Sequence, residues 1–297
     1  MNIIRIIKTY ICFDYIMSNL LLVHNRKYFD NAGIIQLPMR NHPHDIPDRS
    51  SVLFLGSYDK GTDHIHDDLV HTLQSISCKP YVYIILIGKT DDTISRNIII
   101  PTNVARIYAN NIDYDHPHIR FFPMGRDFRS IAQFSMLPTS CNRDTLCYCN
   151  YSLNTHPSRS IIYNHLKGKP FVLFEHMGDF LGYNVSRETF FERLYTSKFT
   201  ICPRGNALDT FRFYDALYCG CIPIVVRSHH HQYFEELPVL FLEDERDFAA
   251  LTEEFLEEQY MLLSKRKRSY YPELDMDYWV NIIFNDLVVS KINLCLL

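Results

Sequence analysis

Between Phe199 and Val226 the chain carries Arg204, Gly205 and Asn206, and then Asp209, Arg212 and Asp215 at intervals of three residues. Two guanidinium groups around a glycine loop are what an anion site requires. Lys198 to Cys202 read as a β-prone, mainly apolar strand, Pro203 to Leu208 as a breaker-rich loop, and Asp209 as the N-cap of a helix ending near Gly220. Phe213, Ala216, Leu217 and Gly220 share the face that packs on a sheet, while Asp209, Arg212 and Asp215 form a polar stripe. The N-terminus of a helix is the positive end of its macrodipole, so a positive charge in its first turn is opposed by up to about 1 kcal/mol. An anion between Arg204 and Arg212 removes that conflict. The unpaired amides at the helix start and the bare backbone at Gly205 would complete a phosphate cradle. The competing reading of the same spacing is a surface ion-pair ladder of Asp209, Arg212 and Asp215.

These side chains need a framework of alternating strands and helices. In the first half, Ser51 to Gly56 and Tyr81 to Gly88 read as buried strands, with a helix from Asp63 to Ser77 and short strands at Asn97 to Ile100 and Val104 to Tyr108. In the second half the alternation runs strand 146–152, helix 157–167, strand 171–176, helix 186–197, strand 198–203, helix 209–219, strand 221–226, strand 239–243 and helix 246–260. A terminal helix from Asp275 to Val289 carries the only Trp. Pro38 to Asp48 is a Pro/His-rich connector, and Met136 to Asp144 the best domain boundary. This predicts an extension and connector over 1–48, a Rossmann-like domain over 49–140 and a second Rossmann-like domain over 141–297. The fold class is α/β with doubly wound parallel sheets.

The run from Asp209 to Leu217 (DTFRFYDAL), followed by Gly220 to Val226 (GCIPIVV), resembles the C-terminal signature of exostosin-type glycosyltransferases. The resemblance extends back to about Tyr148 and forward through Phe234-Glu-Glu-Leu237 and Val239 to Asp244. It implies the GT-B architecture of two Rossmann-like domains facing a cleft, and transfer of a sugar from a nucleotide-sugar donor, a UDP-sugar foremost. In this pattern Arg204, Gly205, Asn206, Asp209, Thr210 and Arg212 become donor contacts. Asp215 stands where the family usually has a Glu expected to bond the donor ribose; the carboxylate is kept, one methylene shorter.

The chain has 297 residues, 47% hydrophobic content and a net charge of -4, which describes a globular protein and argues against general nucleic-acid binding. Nine cysteines without a disulfide framework suit a reducing, cytoplasmic setting. Cys147-x-Cys149 and Cys219-x-Cys221 lack zinc-knuckle spacing and read as buried small hydrophobes, and His229 to His231 as loop residues following a strand. The apolar stretch from Ile3 to Ile16 is interrupted by Arg5, Lys8 and Asp14, so no clear membrane span is expected; membrane association would come through this segment.

Ligands of open α/β sheets bind beyond the carboxyl ends of strands. In the second half those loops hold Arg159 at the start of a helix, a further diphosphate contact, and Glu175 and His176, placed near base or sugar. Sugar transfer with inversion also needs a base for the acceptor hydroxyl. Asp63, with His64 and His66 beside it after the first strong strand, is the favoured base, ahead of the cluster Asp113, Asp115, His116 and His118. Arginines and helix N-termini replace a divalent metal in this scheme, so no metal or other cofactor is expected; the partners are a nucleotide sugar and a glycan or glycoprotein acceptor. Alternatives are a non-catalytic binder of nucleotide sugar or glycan, a phosphorylase or epimerase on a similar scaffold, and a metal-dependent transferase of the other architecture using Asp113-Tyr-Asp115 as a DxD motif.

Overall fold

The computed structural model describes residues 34–36, 46, 48–55, 65–88, 90–126, 142–175, 185–267 and 271–295. Five parallel strands form a first sheet in chain order: β1 (Ile34–Gln36), β2 (Ser51–Leu55), β3 (Tyr83–Ile87), β4 (Val104–Ala109) and β5 (Ile119–Phe121). Apart from Ser51, β2 and β3 are apolar, and both are buried at every position, as parallel strands covered on both faces must be. One face, with Leu53, Leu55, Ile85 and Ile87, packs on helix α1 (Ile65–Ile76). The other, with Val52, Phe54, Ile84 and Leu86, joins a core that continues into the second half of the chain. The expected strand at Asn97 to Ile100 is absent: β3 and β4 pair directly and leave no place for it, and Ile99 stands 87% exposed. β1 and β5, three residues each, are too short to show a periodicity and were not anticipated.

The second sheet contains β6 (Thr145–Cys149), β7 (Val172–Phe174), β8 (Ser197–Ile201), β9 (Ile222–Val226) and β10 (Leu240–Leu242), all parallel, in the order β10-β9-β8-β6-β7. Its helices are α2 (Pro157–Leu166), α3 (Arg187–Thr196), α4 (Phe211–Tyr218) and α5 (Glu253–Leu263). The chain steps from β6 outwards to β7 and then returns to β8 on the other side of β6. The β6/β8 boundary is therefore the topological switch point, where open α/β sheets form their ligand crevice. The strands of the first sheet follow one another without such a reversal. Pro223 is tolerated inside β9 because β10 pairs only from Ile224 onwards. Gly220, at φ +66, ends α4, with its amide on the Leu217 carbonyl and the Cys221 amide on that of Ala216. The helix expected over 246–260 is two elements: a 3-10 helix (Glu245–Ala250) and α5, separated where Leu251 turns extended and Thr252 Oγ1 accepts the Phe255 amide.

The two sheets are joined by apolar packing and by buried polar ties. Helix α6 (Met276–Cys295) packs back on β2, β3 and β4, and Trp279 meets Phe121 and Phe122 edge-on. Asp286 of α6 accepts hydrogen bonds from Arg106 Nε at 3.3 Å, Tyr108 Oη at 2.8 Å and Arg120 Nη1 at 3.3 Å. Arg126, fully buried, pairs its Nε with Asp215 Oδ1 at 3.0 Å and lies over the Tyr218 ring at 4.7 Å. Removing one member of a buried pair strands the other charge away from water. Asp215→Ala is expected to lower the unfolding free energy by about 3–5 kcal/mol in urea denaturation; a loss under about 1 kcal/mol would show that Arg126 is held by its other neighbours.

Candidate functional site

Arginine side chains gather at the switch point. Pro157 at the first position and His156, whose side chain accepts the Ser158 amide, start α2 beyond the end of β6 and set Arg159 facing the loop after β8. Arg159 donates from Nε to the Arg204 carbonyl at 2.7 Å, and from Nη1 to the Ser152 carbonyl at 3.0 Å and Thr155 Oγ1 at 3.1 Å. Gly205 permits this approach: a Cβ there would sit 3.2 Å from Arg159 Nη2. Arg212, in the first turn of α4, rests its guanidinium over the Phe190 ring at 5.0 Å, and its Nη1 is buried without a hydrogen-bond partner, as is Ser152 Oγ. Burial, and then the charge of Arg212, push the pKa of Arg159 down to about 10. Among the described residues no carboxylate pairs with Arg159, Arg204 or Arg212. Neighbouring guanidiniums with no counter-ion and a buried free N–H form a site for an anion of more than one charge.

The structure divides the other expected contacts. The backbone cradle is partly occupied, since Asn111 Oδ1 accepts the amides of Leu208 at 3.0 Å and Asp209 at 3.5 Å. Asp209 is not the N-cap of α4. Thr210 takes that position, without a side-chain capping bond, and Asp209 instead turns towards the first sheet unit, its Oδ2 accepting the Met124 amide and the Tyr214 hydroxyl, both at 2.7 Å. Asp215 is committed to Arg126, so the surface ladder of Asp209, Arg212 and Asp215 does not exist. Arg204 bonds the carbonyls of Gly205 and Asn206, and Asn206 Nδ2 reaches Asp91 Oδ2 at 3.3 Å. Glu175 is held by Arg193 at 2.6 Å and Tyr148 at 3.1 Å. His229 to His231 begin a 3-10 helix (His229–Phe234) instead of a loop, with His230 and His231 buried and His229 bonded to Asp115 at 2.9 Å. Asp63, His64 and His176 lie outside the described residues. Among the described residues no three His, Cys, Asp or Glu side chains are grouped to hold a metal ion, and no helix is long and apolar enough to cross a membrane.

The sequence does not single out Asn111, Met124 or Arg126, and it presents His230 only as a loop residue after a strand. Asn111 alone carried a signal, as a polar residue in a loop directly after a strand. Two of them, Met124 and His230, meet the carboxylate of Asp209. Its surroundings are the Tyr214 hydroxyl from α4, the Met124 amide from the first unit and His230 Nε2 at 3.9 Å from Oδ1. Burial, followed by the charges of His231 and His229, holds His230 well below its usual pKa, so this contact is not an ion pair. With no cation adjacent, burial raises the Asp209 pKa to about 7, although the Met124 amide, the Tyr214 hydroxyl and the Thr210 amide act in the opposite direction. The unfolded chain therefore releases this proton near the ordinary carboxylate value while the folded chain retains it to about 7. Stability from this group is full below the unfolded pKa and is lost as pH rises through the folded one. Asp209→Asn should match the parent protein's denaturation midpoint at about pH 4 and exceed it increasingly towards pH 8; a gap independent of pH would refute the assignment.

The Exostosin GT47 domain family model matches residues 60–261, a segment that includes the whole arginine crevice. A probable glycosyltransferase of Arabidopsis thaliana is 30% identical over 74 residues, which are 24% of this chain and 14% of that protein, so the chain aligns with a small part of its length. Among solved structures, an alpha1,3-fucosyltransferase has 13% identity and a TM-score of 0.46 over 84% of this chain and 80% of that one. A GtfA/B complex has 11% identity and a TM-score of 0.40 over 81% and 57%. With two parallel α/β sheets, the switch-point crevice and the matched segment covering more than half of its residues, the chain belongs to the exostosin GT47 family of glycosyltransferase domains.

Proposed function

We propose that this chain transfers a sugar from a nucleotide-sugar donor to a glycan or glycoprotein acceptor, with inversion and without a divalent metal. The observation that carries this reading is the pairing of Arg159 with Arg212, two close guanidiniums with no carboxylate partner at the switch point. In the reaction the acceptor oxygen bonds to the anomeric carbon while the bond to the β-phosphate oxygen breaks. The nucleoside diphosphate leaves with that electron pair, and the acceptor proton passes to a carboxylate base. Arg159, Arg204 and Arg212 oppose the charge that grows on the leaving diphosphate, which is the job a metal does elsewhere. Asp215 contributes by holding Arg126 under α4. Asp63, two residues before α1, is the proposed base, and the preference for a uridine donor follows the family resemblance.

A ligand at 100 times its Kd adds about 2.7 kcal/mol to stability, so saturating UDP or a UDP-sugar should raise the melting temperature. Arg212→Ala should erase that rise, and an unchanged rise in the variant would remove Arg212 from the site. In turnover assays the protein should be indifferent to EDTA, and Asp63→Asn should lose about 10²-fold or more in kcat while still binding UDP. Activity abolished by EDTA and restored by Mn²⁺ alone, or near-normal turnover in Asp63→Asn, would overturn the corresponding part of the mechanism.

A further inference from the structure

A cavity of about 160 Å³ opens between the loop after β8 and the loop after β9, lined among others by Arg204, Asp209, Thr210, Ser228 and His230. Asp209 is 1% exposed, and while its Oδ2 holds two hydrogen-bond donors, its Oδ1 has none. Above about pH 7, where Asp209 is ionised, its carboxylate oxygens only accept, and leaving one buried and unmatched is costly. His230 does not match it: its Nε2 is 3.9 Å away, while its Nδ1 meets Ser228 Oγ at 3.0 Å. The cavity also adjoins the anion crevice, because Arg204 lines it and the Arg204 carbonyl holds Arg159 at 2.7 Å. A single ligand with a diphosphate at the crevice can therefore extend into it.

We propose that this cavity is the subsite for a neutral, hydrogen-bond-donating part of the donor, and that Asp209 Oδ1 accepts a bond from its N–H or O–H. The proposal rests on the nucleotide-sugar reading above. It assigns the unmatched oxygen a purpose: stability is given up in the empty protein for an acceptor that the correct ligand satisfies, a trade often found in binding sites. A nucleobase and a sugar ring both offer the required donor group, and experiment separates them.

Asp209→Asn is the informative variant. Its amide oxygen can replace Oδ2 towards Met124 and Tyr214, which leaves an NH₂ group where Oδ1 stood and turns an acceptor into a donor at constant size. Titration calorimetry on the full chain with pyrophosphate, UDP, GDP, UDP-glucose and GDP-mannose should show unchanged pyrophosphate binding. Affinity should fall about 10- to 100-fold for whichever ligands place a donor group on Oδ1. A loss already present with UDP or GDP assigns the cavity to the nucleoside; a loss confined to the nucleotide sugars assigns it to the sugar. Tyr214→Phe, which removes a partner of Oδ2 only, should lower stability and leave these affinities within about twofold. Equal affinities of Asp209→Asn and the parent protein for every ligand would overturn the subsite while sparing the donor reading. Failure of the parent protein to bind any nucleotide or nucleotide sugar would overturn both.

Discussion

The bond from the Met124 amide to the Asp209 carboxylate is the contact on which the geometry of the site depends, with the Tyr214 hydroxyl as a second donor to the same oxygen. It ties the loop that carries Arg204 and Gly205 to the first sheet unit, and Asn111 reinforces the tie by accepting the amides of Leu208 and Asp209. Asn111 is itself held, because its Nδ2 donates to the carbonyl of the buried Thr90. The loop after β8 is therefore shaped by residues some hundred positions away as well as by its own sequence. A buried polar group must find a partner or lose the full cost of its desolvation, and this requirement makes the tie specific.

Around that tie, charge is distributed unevenly. Arg126 and Asp215 neutralise one another inside the interface, and Arg106 and Arg120 share Asp286 on the terminal helix. At the crevice the balance stops: Arg159 uses its donors on carbonyls and Thr155, and Arg212 lies against an aromatic ring. Arg143 likewise spends its guanidinium on carbonyls, those of Leu194, Ser197 and Cys219, but among the described residues it stands without a second arginine beside it, whereas Arg159 feels the charge of Arg212. Two neighbouring cations that share no carboxylate, one of them with a buried N–H left over, support reading the crevice as functional.

Much of this was legible from local pattern. Unbroken apolar runs announced β2 and β3, and the three-residue spacing of charge marked α4 as a helix with unusual polar demands. Arg159 and Arg204 were recognisable because each belongs to a loop or helix start that follows a strand. The failures have a common cause. Asp209 has the sequence of an N-cap, and only the position of Met124 shows why it turns away. His229 to His231 looked like solvated loop, yet His230 is stacked on Phe121 at 5.0 Å and His231 packs near Phe213 at 5.7 Å. The short strands β1 and β5 are defined by pairing with neighbours, not by their own composition.

By itself, the sequence determined the α/β class, the order of the strands and α-helices in the second sheet's half of the chain, and the arginine-rich loop and helix start after β8. These follow from periodicity and capping, which act over a few residues. Only the tertiary structure decided which charges remain available. Asp209 meets Met124 across 85 residues, Arg126 meets Asp215 across 89, and Asn111 meets Leu208 across 97. Such pairings are selected by burial and hydrogen-bond satisfaction after the sheets have packed, so no local spacing records them.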